Sequence, residues 1–273
     1  MKKEEGFAVS GSLFQLTVLG TRGSVPVCGR DYSVFGGNTS CYMVTAGEET
    51  IFLDAGSGLV NAPVSFSSTP VILLSHLHLD HILGLGMYPR LSRKGTETRL
   101  YLPVDEGVDA VSLLNGLYSP PYWPLSLTDY AGSLEVNALK EPFMVGDVAI
   151  DWITGSHPGG SLVFRLRYRG KTLVYVTDYE RDDASYEMLI SFARDADLLM
   201  VDGQYTTEEY PKRRGFGHST PEIGIELKDR CNAKRLLLIH HDPGKTDRIM
   251  LSQQAILRRE NVRFAREGEV YSI

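Results

Sequence analysis

Residues 71–84 read VILLSHLHLDHILG. Val71 to Leu74 form a short apolar, strand-like run that delivers the chain into His76, His78, Asp80 and His81, and Gly84 closes the stretch. A core strand does not carry four ionisable side chains in so short a span, and a solvated loop has no reason to order them as His-x-His-x-Asp-His. His76 and His78 are two apart on extended chain, so both rings point the same way. Asp80 and His81 turn toward a second position as a helix begins. Imidazoles and carboxylates at a strand end are the ligand set of zinc or a similar divalent metal.

The rest of the chain repeats this grammar. Residues 13–19, 41–45, 50–53, 99–102, 148–154, 161–168, 172–177, 198–201 and 235–239 read as strands from their apolar β-formers and flanking turn residues. Residues 82–91, 104–117, 184–193, 220–231 and 247–259 read as helices, the fourth opened by Thr220 as a cap with Pro221 behind it. His157, Asp178 and His240 each follow an apolar strand. A lone His or Asp in such a place is more often a surface polar group. Added to the first four, however, they make seven ligands, a number that suits two metals bridged by one carboxylate. Asp54, between a strand and Ala-Gly-Ser-Gly, is expected to orient a ligand histidine, and His241 to support its neighbour His240.

Strands alternating with helices, and strands of both halves ending in His or Asp, point to one α/β domain over residues 1–273: two sheets face to face, helices outside, the site at one edge. Hydrophobic residues make up 42%, enough for a substantial core. Lys plus Arg is 28 against 34 for Asp plus Glu, a net charge of −6, which gives no global pull toward nucleic acid or an anionic membrane. The first residues, MKKEEGFAVSGSLF, show no signal-like apolar run, and no stretch is long enough to span a bilayer. Cys28, Cys41 and Cys231 lack metal or disulfide spacing. A reduced, cytoplasmic protein with packed thiols is the expectation.

The His-x-His-x-Asp-His loop, the upstream Leu-Asp-Ala-Gly-Ser-Gly, and His157, Asp178 and His240 in order resemble the metallo-β-lactamase superfamily. The resemblance implies a four-layer αβ/βα sandwich with a dinuclear centre at the edge of the two sheets. One metal would take His76, His78 and His157, the other Asp80, His81 and His240, with Asp178 bridging. Zinc is the implied metal, with manganese and iron compatible with the same ligands. Gly217-His218-Ser219-Thr220 and the opening Leu19-Gly20-Thr21-Arg22-Gly23-Ser24 resemble the phosphodiesterase branch, which includes tRNase Z and cyclic-nucleotide phosphodiesterases. Bacterial tRNase Z carries a long arm between the positions matching His157 and Asp178, where this chain has only a hairpin. With the acidic balance, that makes tRNA an unlikely partner and a small, cyclic nucleotide phosphodiester the expected substrate. A homodimer is the implied assembly.

In that chemistry a metal-bridging hydroxide attacks phosphorus and Asp80 holds its proton. His218 either contacts the phosphate or protonates the leaving oxygen, the plainer alternative being a helix-capping loop residue. Arg22 is a candidate for the phosphoryl oxygens. Asn38, Thr39 and Ser40 either contact phosphate or build a turn. The aromatic, proline-rich loop at residues 118–124 either stacks a base or packs on the fold or a partner subunit. Lys212, Arg213 and Arg214 read most simply as a solvated face, with the alternative that, lying close to His218 in sequence, they help hold a phosphate. The alternatives are a tRNase Z-like endoribonuclease, a carboxylic-ester, thioester or lactone hydrolase of the same fold, and a non-catalytic metal-bound sensor.

Overall fold

The computed structural model describes residues 13–273, so the reading of the first twelve positions lies outside the described residues. The chain runs β1 (Phe14–Gly20), β2 (Cys41–Ala46), β3 (Glu49–Leu53), β4 (Val71–Leu73), α1 (Leu79–Ile82), β5 (Glu97–Leu102), α2 (Ala110–Asn115), β6 (Ser133–Ala138) and β7 (Phe143–Val145). It continues through β8 (Val148–Gly155), β9 (Ser161–Tyr168), β10 (Lys171–Val176), α3 (Asp183–Phe192), β11 (Leu198–Asp202), α4 (Pro221–Arg230), β12 (Leu236–Ile239), α5 (Asp247–Leu257), β13 (Val262–Phe264) and β14 (Val270–Ser272).

Two seven-stranded mixed sheets result, ordered β14-β1-β2-β3-β4-β5-β6 and β13-β12-β11-β10-β9-β8-β7. In the first, β3 to β6 are parallel; in the second, β10 to β13 are. The last strand crosses back to pair with β1, in register Leu16 to Tyr271. Strand alternation explains the layering. Ile51 and Leu53, Val71 and Leu73, Leu198 and Met200, and Leu237 and Ile239 point between the sheets. Leu199, Val201, Leu236 and Leu238 point outward onto α3, α4 and α5. Being covered on both faces, β11 and β12 read as unbroken apolar runs. The parallel strands β3, β4, β10, β11 and β12 end at one rim, so the His- and Asp-bearing loops that follow them share it.

Four expectations change. The helix expected over residues 82–91 is the single turn α1 followed by a 3-10 turn at Leu85–Met87. A Cβ at Gly84 would lie 2.2 Å from the Gly56 carbonyl oxygen, so the chain is pinned against the Asp54 loop rather than free to coil. The helix expected over 104–117 shrinks to α2, which starts where the Asp109 carboxylate accepts from Ser112 N. Strands β6 and β7 were not expected. Cys41 and Cys231 are buried as small apolar groups, but Cys28 is exposed. Among the described residues no helix is long and apolar enough to cross a membrane.

Candidate metal centre

Two ligand groups meet at Asp178: His76, His78, His157 and Asp178, and Asp80, His81, Asp178 and His240. A third set, Asp178, Asp202, His218 and His240, overlaps the second, the ligand atoms of each set lying within 4.8 Å of one another. The backbone aims them. Asp54, Asp178 and His240 follow β3, β10 and β12 in the left-handed region, at φ of 59°, 41° and 58°. Such conformations cost non-glycine residues about 1–3 kcal/mol each and persist only where the surroundings impose them.

The second nitrogen of four imidazoles is fixed. Ser75 Oγ donates to Asp54 Oδ2 at 2.8 Å, so its lone pair accepts from His76 Nδ1 at 3.0 Å. His81 Nδ1 also donates to Asp54 Oδ2, at 2.7 Å, as does the Tyr175 hydroxyl. His157 Nδ1 donates to the Gly217 carbonyl at 2.9 Å and His240 Nδ1 to Gln204 Oε1 at 2.9 Å. With Nδ1 protonated in each, Nε2 is the lone-pair nitrogen of the neutral ring. These nitrogens converge: His81 and His240 Nε2 are 3.3 Å apart, and each is 3.1 Å from Asp178 Oδ1. In the other group His78 Nδ1 is 3.1 Å from His157 Nε2, and His76 Nε2 is buried with no hydrogen-bond partner. Around Asp178 Oδ1, where Nε2 of the buried His81 and His240 meet, acceptors face acceptors and repel unless positive charge lies between them. In the first group the partnerless, buried Nε2 of His76 is the atom left for a cation. The residues therefore fit a divalent cation in each group.

Proton affinities carry the same asymmetry of charge. Burial works to lower His240, but Asp178, Asp80 and Asp202 outweigh it and push it up to about 9. Burial, reinforced by His81, brings His76 down to about 2. Burial would raise Asp178, yet His240 and His81 hold it well below the usual carboxylate range. The pocket attracts cations whether they arrive as protons or as metal.

His218 stands at the cluster's edge. Its ring stacks on His240 at 4.8 Å and 19°, and its Nδ1 donates to Asp202 Oδ2 at 2.8 Å. The side chain keeps 11% exposure, so the ring's other nitrogen borders open space. A cavity of about 380 Å³, walled by His76, Val104, Val108 and Leu113, opens beside His76.

Residues 49–241 match the family described as the Beta-lactamase superfamily domain. The chain belongs to the β-lactamase superfamily. It is 24% identical to Ribonuclease Z of Archaeoglobus fulgidus over 84% of this chain and 87% of that protein. Among solved structures it resembles the metallo-β-lactamase fold protein YhfI of Bacillus subtilis, with TM-score 0.74, 20% identity and coverage of 96% and 100%. It also resembles the short form of human tRNase Z, with TM-score 0.69, 19% identity and coverage of 95% and 99%. The expected sandwich, and a metal-dependent hydrolase of the phosphodiesterase branch, are borne out. The exclusion of tRNA is overturned: proteins named Ribonuclease Z and tRNase Z match most of this superfamily member despite its net charge of −6. Net charge is a sum over the surface, whereas phosphates are met by local patches.

Some expected contacts are not made. Arg22 is buried and donates to the carbonyls of Gly36, Asp242 and Lys245, tying loops behind the centre rather than facing a phosphate. Asn38 is held by Glu267, while Thr39 and Ser57 bond each other, and Ser40 Oγ reaches the Arg22 carbonyl; the three build the turn. In the loop at 118–124, Tyr118 donates to the Ile82 carbonyl and Trp123 to Tyr130, so both pack behind α1, and of the loop's aromatic side chains Tyr122 alone is exposed. Asp202, Gln204, Tyr175 and Glu180 were missed. Asp202 closes an apolar strand just as Asp54 follows one, which was the available signal.

His241 points away from the cluster. Its Nε2–H donates to the Ala265 carbonyl at 2.8 Å, and burial brings its pKa down to about 3. A depressed histidine is neutral when folded and charges on unfolding. Its contribution is therefore complete above the unfolded value near 6.5 and is lost as pH falls toward 3. Thermal melts from pH 7 to 4 should show a shallower loss of stability in His241→Gln than in the parent; equal slopes would refute this.

Proposed function

We propose that the protein cleaves phosphodiester bonds of RNA as a two-metal hydrolase, with His76, His78 and His157 holding one ion, Asp80, His81 and His240 the other, and Asp178 shared. When bound, the ions supply Lewis-acid charge for the phosphoryl oxygens and lower the pKa of water. Asp80, ionised and fixed by Ser24 N at 2.6 Å, orients the attacking water's proton. His218 delivers a proton to the departing ribose oxygen, and Asp202 stabilises the imidazolium that does so. The observation that carries this reading is the His218–Asp202 pair stacked against His240, since an alkoxide leaving group needs a positioned acid.

The names of its relatives support RNA, tRNA in particular. One observation favours a second substrate, a small cyclic nucleotide: β9 and β10 are joined by Arg169 and Gly170 alone, leaving no arm between His157 and Asp178. Protein reconstituted with zinc, manganese or iron should be assayed on precursor tRNA, cyclic AMP, cyclic GMP, bis-p-nitrophenyl phosphate and a lactone panel. Cleavage of precursor tRNA is the expected result. Turnover of lactones alone would sink the phosphodiester reading, and turnover of cyclic nucleotides alone would select the second substrate.

A further inference from the structure

The loop at residues 206–217, TTEEYPKRRGFG, has exposed side chains that the chemistry above does not use. Phe216 is 56% exposed, and Lys212, Arg213 and Arg214 are exposed beside it. From the buried site outward, planar groups follow one another. The His218 ring lies edge-on to Tyr205 at 5.7 Å, Arg213 sits 5.9 Å from the Tyr205 ring, and the same guanidinium is 5.6 Å from Phe216.

The loop is also clamped. Glu180, two residues beyond Asp178, accepts from Gly215 N at 2.8 Å and Gly217 N at 2.9 Å. The Gly217 carbonyl takes His157 Nδ1, and a Cβ at Gly217 would lie 2.0 Å from that nitrogen. Glu209 is engaged by Lys245 and Thr206. Among the described residues Lys212, Arg213 and Arg214 make no ion pair with a carboxylate, and Glu208 is the one other acidic group on the loop. An apolar ring held in water beside a guanidinium that has no carboxylate partner among the described residues, on a loop bonded to His157 through Gly217, is a surface prepared for a planar, anionic ligand.

We propose that Phe216 and Arg213 hold the nucleotide on the leaving-group side of the scissile phosphate, Phe216 by stacking on its base and Arg213 by pairing with its phosphate. The assignment rests on the phosphodiester reading. His218 protonates the leaving oxygen, so the departing nucleotide lies on the His218 side, where the row of rings begins. Base–aromatic stacking tolerates any base, which makes this a specificity for single-stranded nucleic acid rather than for sequence.

The test is fluorescence anisotropy with a labelled single-stranded RNA hexamer and metal-loaded protein in a His218→Ala background, which suppresses cleavage. Phe216→Ala should weaken binding about tenfold or more, and Phe216→Trp should retain it. Arg213→Ala should weaken binding and reduce the slope of log affinity against log salt by about 0.7. Both side chains are exposed, so melting temperatures should stay close to the parent's. If RNA is cleaved by the wild type but both alanine variants bind within twofold of the parent, the loop assignment is wrong and the reading stands. If the wild type turns over no phosphodiester, the reading fails and this assignment with it.

Discussion

Asp178→Ala should empty both metal positions together. Its Oδ1 lies 3.1 Å from Nε2 of both His81 and His240, and its Oδ2 lies 3.6 Å from His76 Nε2 and 3.7 Å from His157 Nε2. Asp178 is the one residue common to the two groups. Removing it leaves converging imidazoles and takes away the negative charge that offsets a second divalent ion nearby. Losing a residue that merely supports a ligand costs about 10–100-fold in metal affinity, so losing one shared by two ions should cost at least the upper end of that range at each. Elemental analysis should fall from close to two ions per chain to below one, with activity near background. The thermal shift on adding metal, about 2.7 kcal/mol per site at a free concentration of 100 Kd, should vanish. His76→Ala should lose one ion. An Asp178→Ala protein that keeps two ions would show that the site is not shared.

Much of this centre could be read from the chain because metal ligands are confined in type and place. His76, His78, Asp80 and His81 sit together in sequence, and the strands before Asp178 and His240 announce themselves by composition. The partners that fix the rings could not be read. Nothing in the sequence says that Ser75 relays His76 to Asp54, or that Gln204 reaches back to His240. Those contacts exist only once parallel strands end at a common rim. Arg22 shows the converse error. A buried arginine after Gly-Thr looks like an anion contact, but the chain around it is short of donors for the Gly36, Asp242 and Lys245 carbonyls, and Arg22 answers that need.

The fold divided in the same way. Strands covered on both faces, such as β11 and β12, were legible as apolar runs, and α4 was legible from its cap. The helix expected over residues 104–117 starts late because Gly107 sits in the left-handed region at φ 83°, and the one over 82–91 failed because apolar spacing does not record glycine contacts. Gly86 lies under the Trp123 ring and Gly84 against Gly56, so the chain there follows its neighbours rather than its periodicity. Strand β6 was missed because it lies at a sheet edge with only Leu134 fully buried, which leaves little alternation to detect.

His218→Ala should separate the acid from the metals. The loss of a positioned general acid costs about 10²–10⁴-fold. His218 belongs to neither of the two groups proposed to hold the ions, only to the overlapping set with Asp202, whose carboxylate its Nδ1 engages, so metal content should stay near two ions per chain. The size of the loss should depend on the leaving group. A ribose alkoxide needs the proton, whereas p-nitrophenolate departs readily without one, so turnover of bis-p-nitrophenyl phosphate should fall far less than cleavage of RNA. Asp202→Asn should follow the same pattern in weaker form. Asp202 Oδ2 accepts from His218 Nδ1 at 2.8 Å while its Oδ1 accepts from Gln204 N at 2.9 Å, so an amide can keep the second contact and the shape but cannot stabilise an imidazolium. Equal losses on both leaving groups, or parallel loss of metal and turnover, would make His218 a structural support of His240 and remove the proton donor from the mechanism.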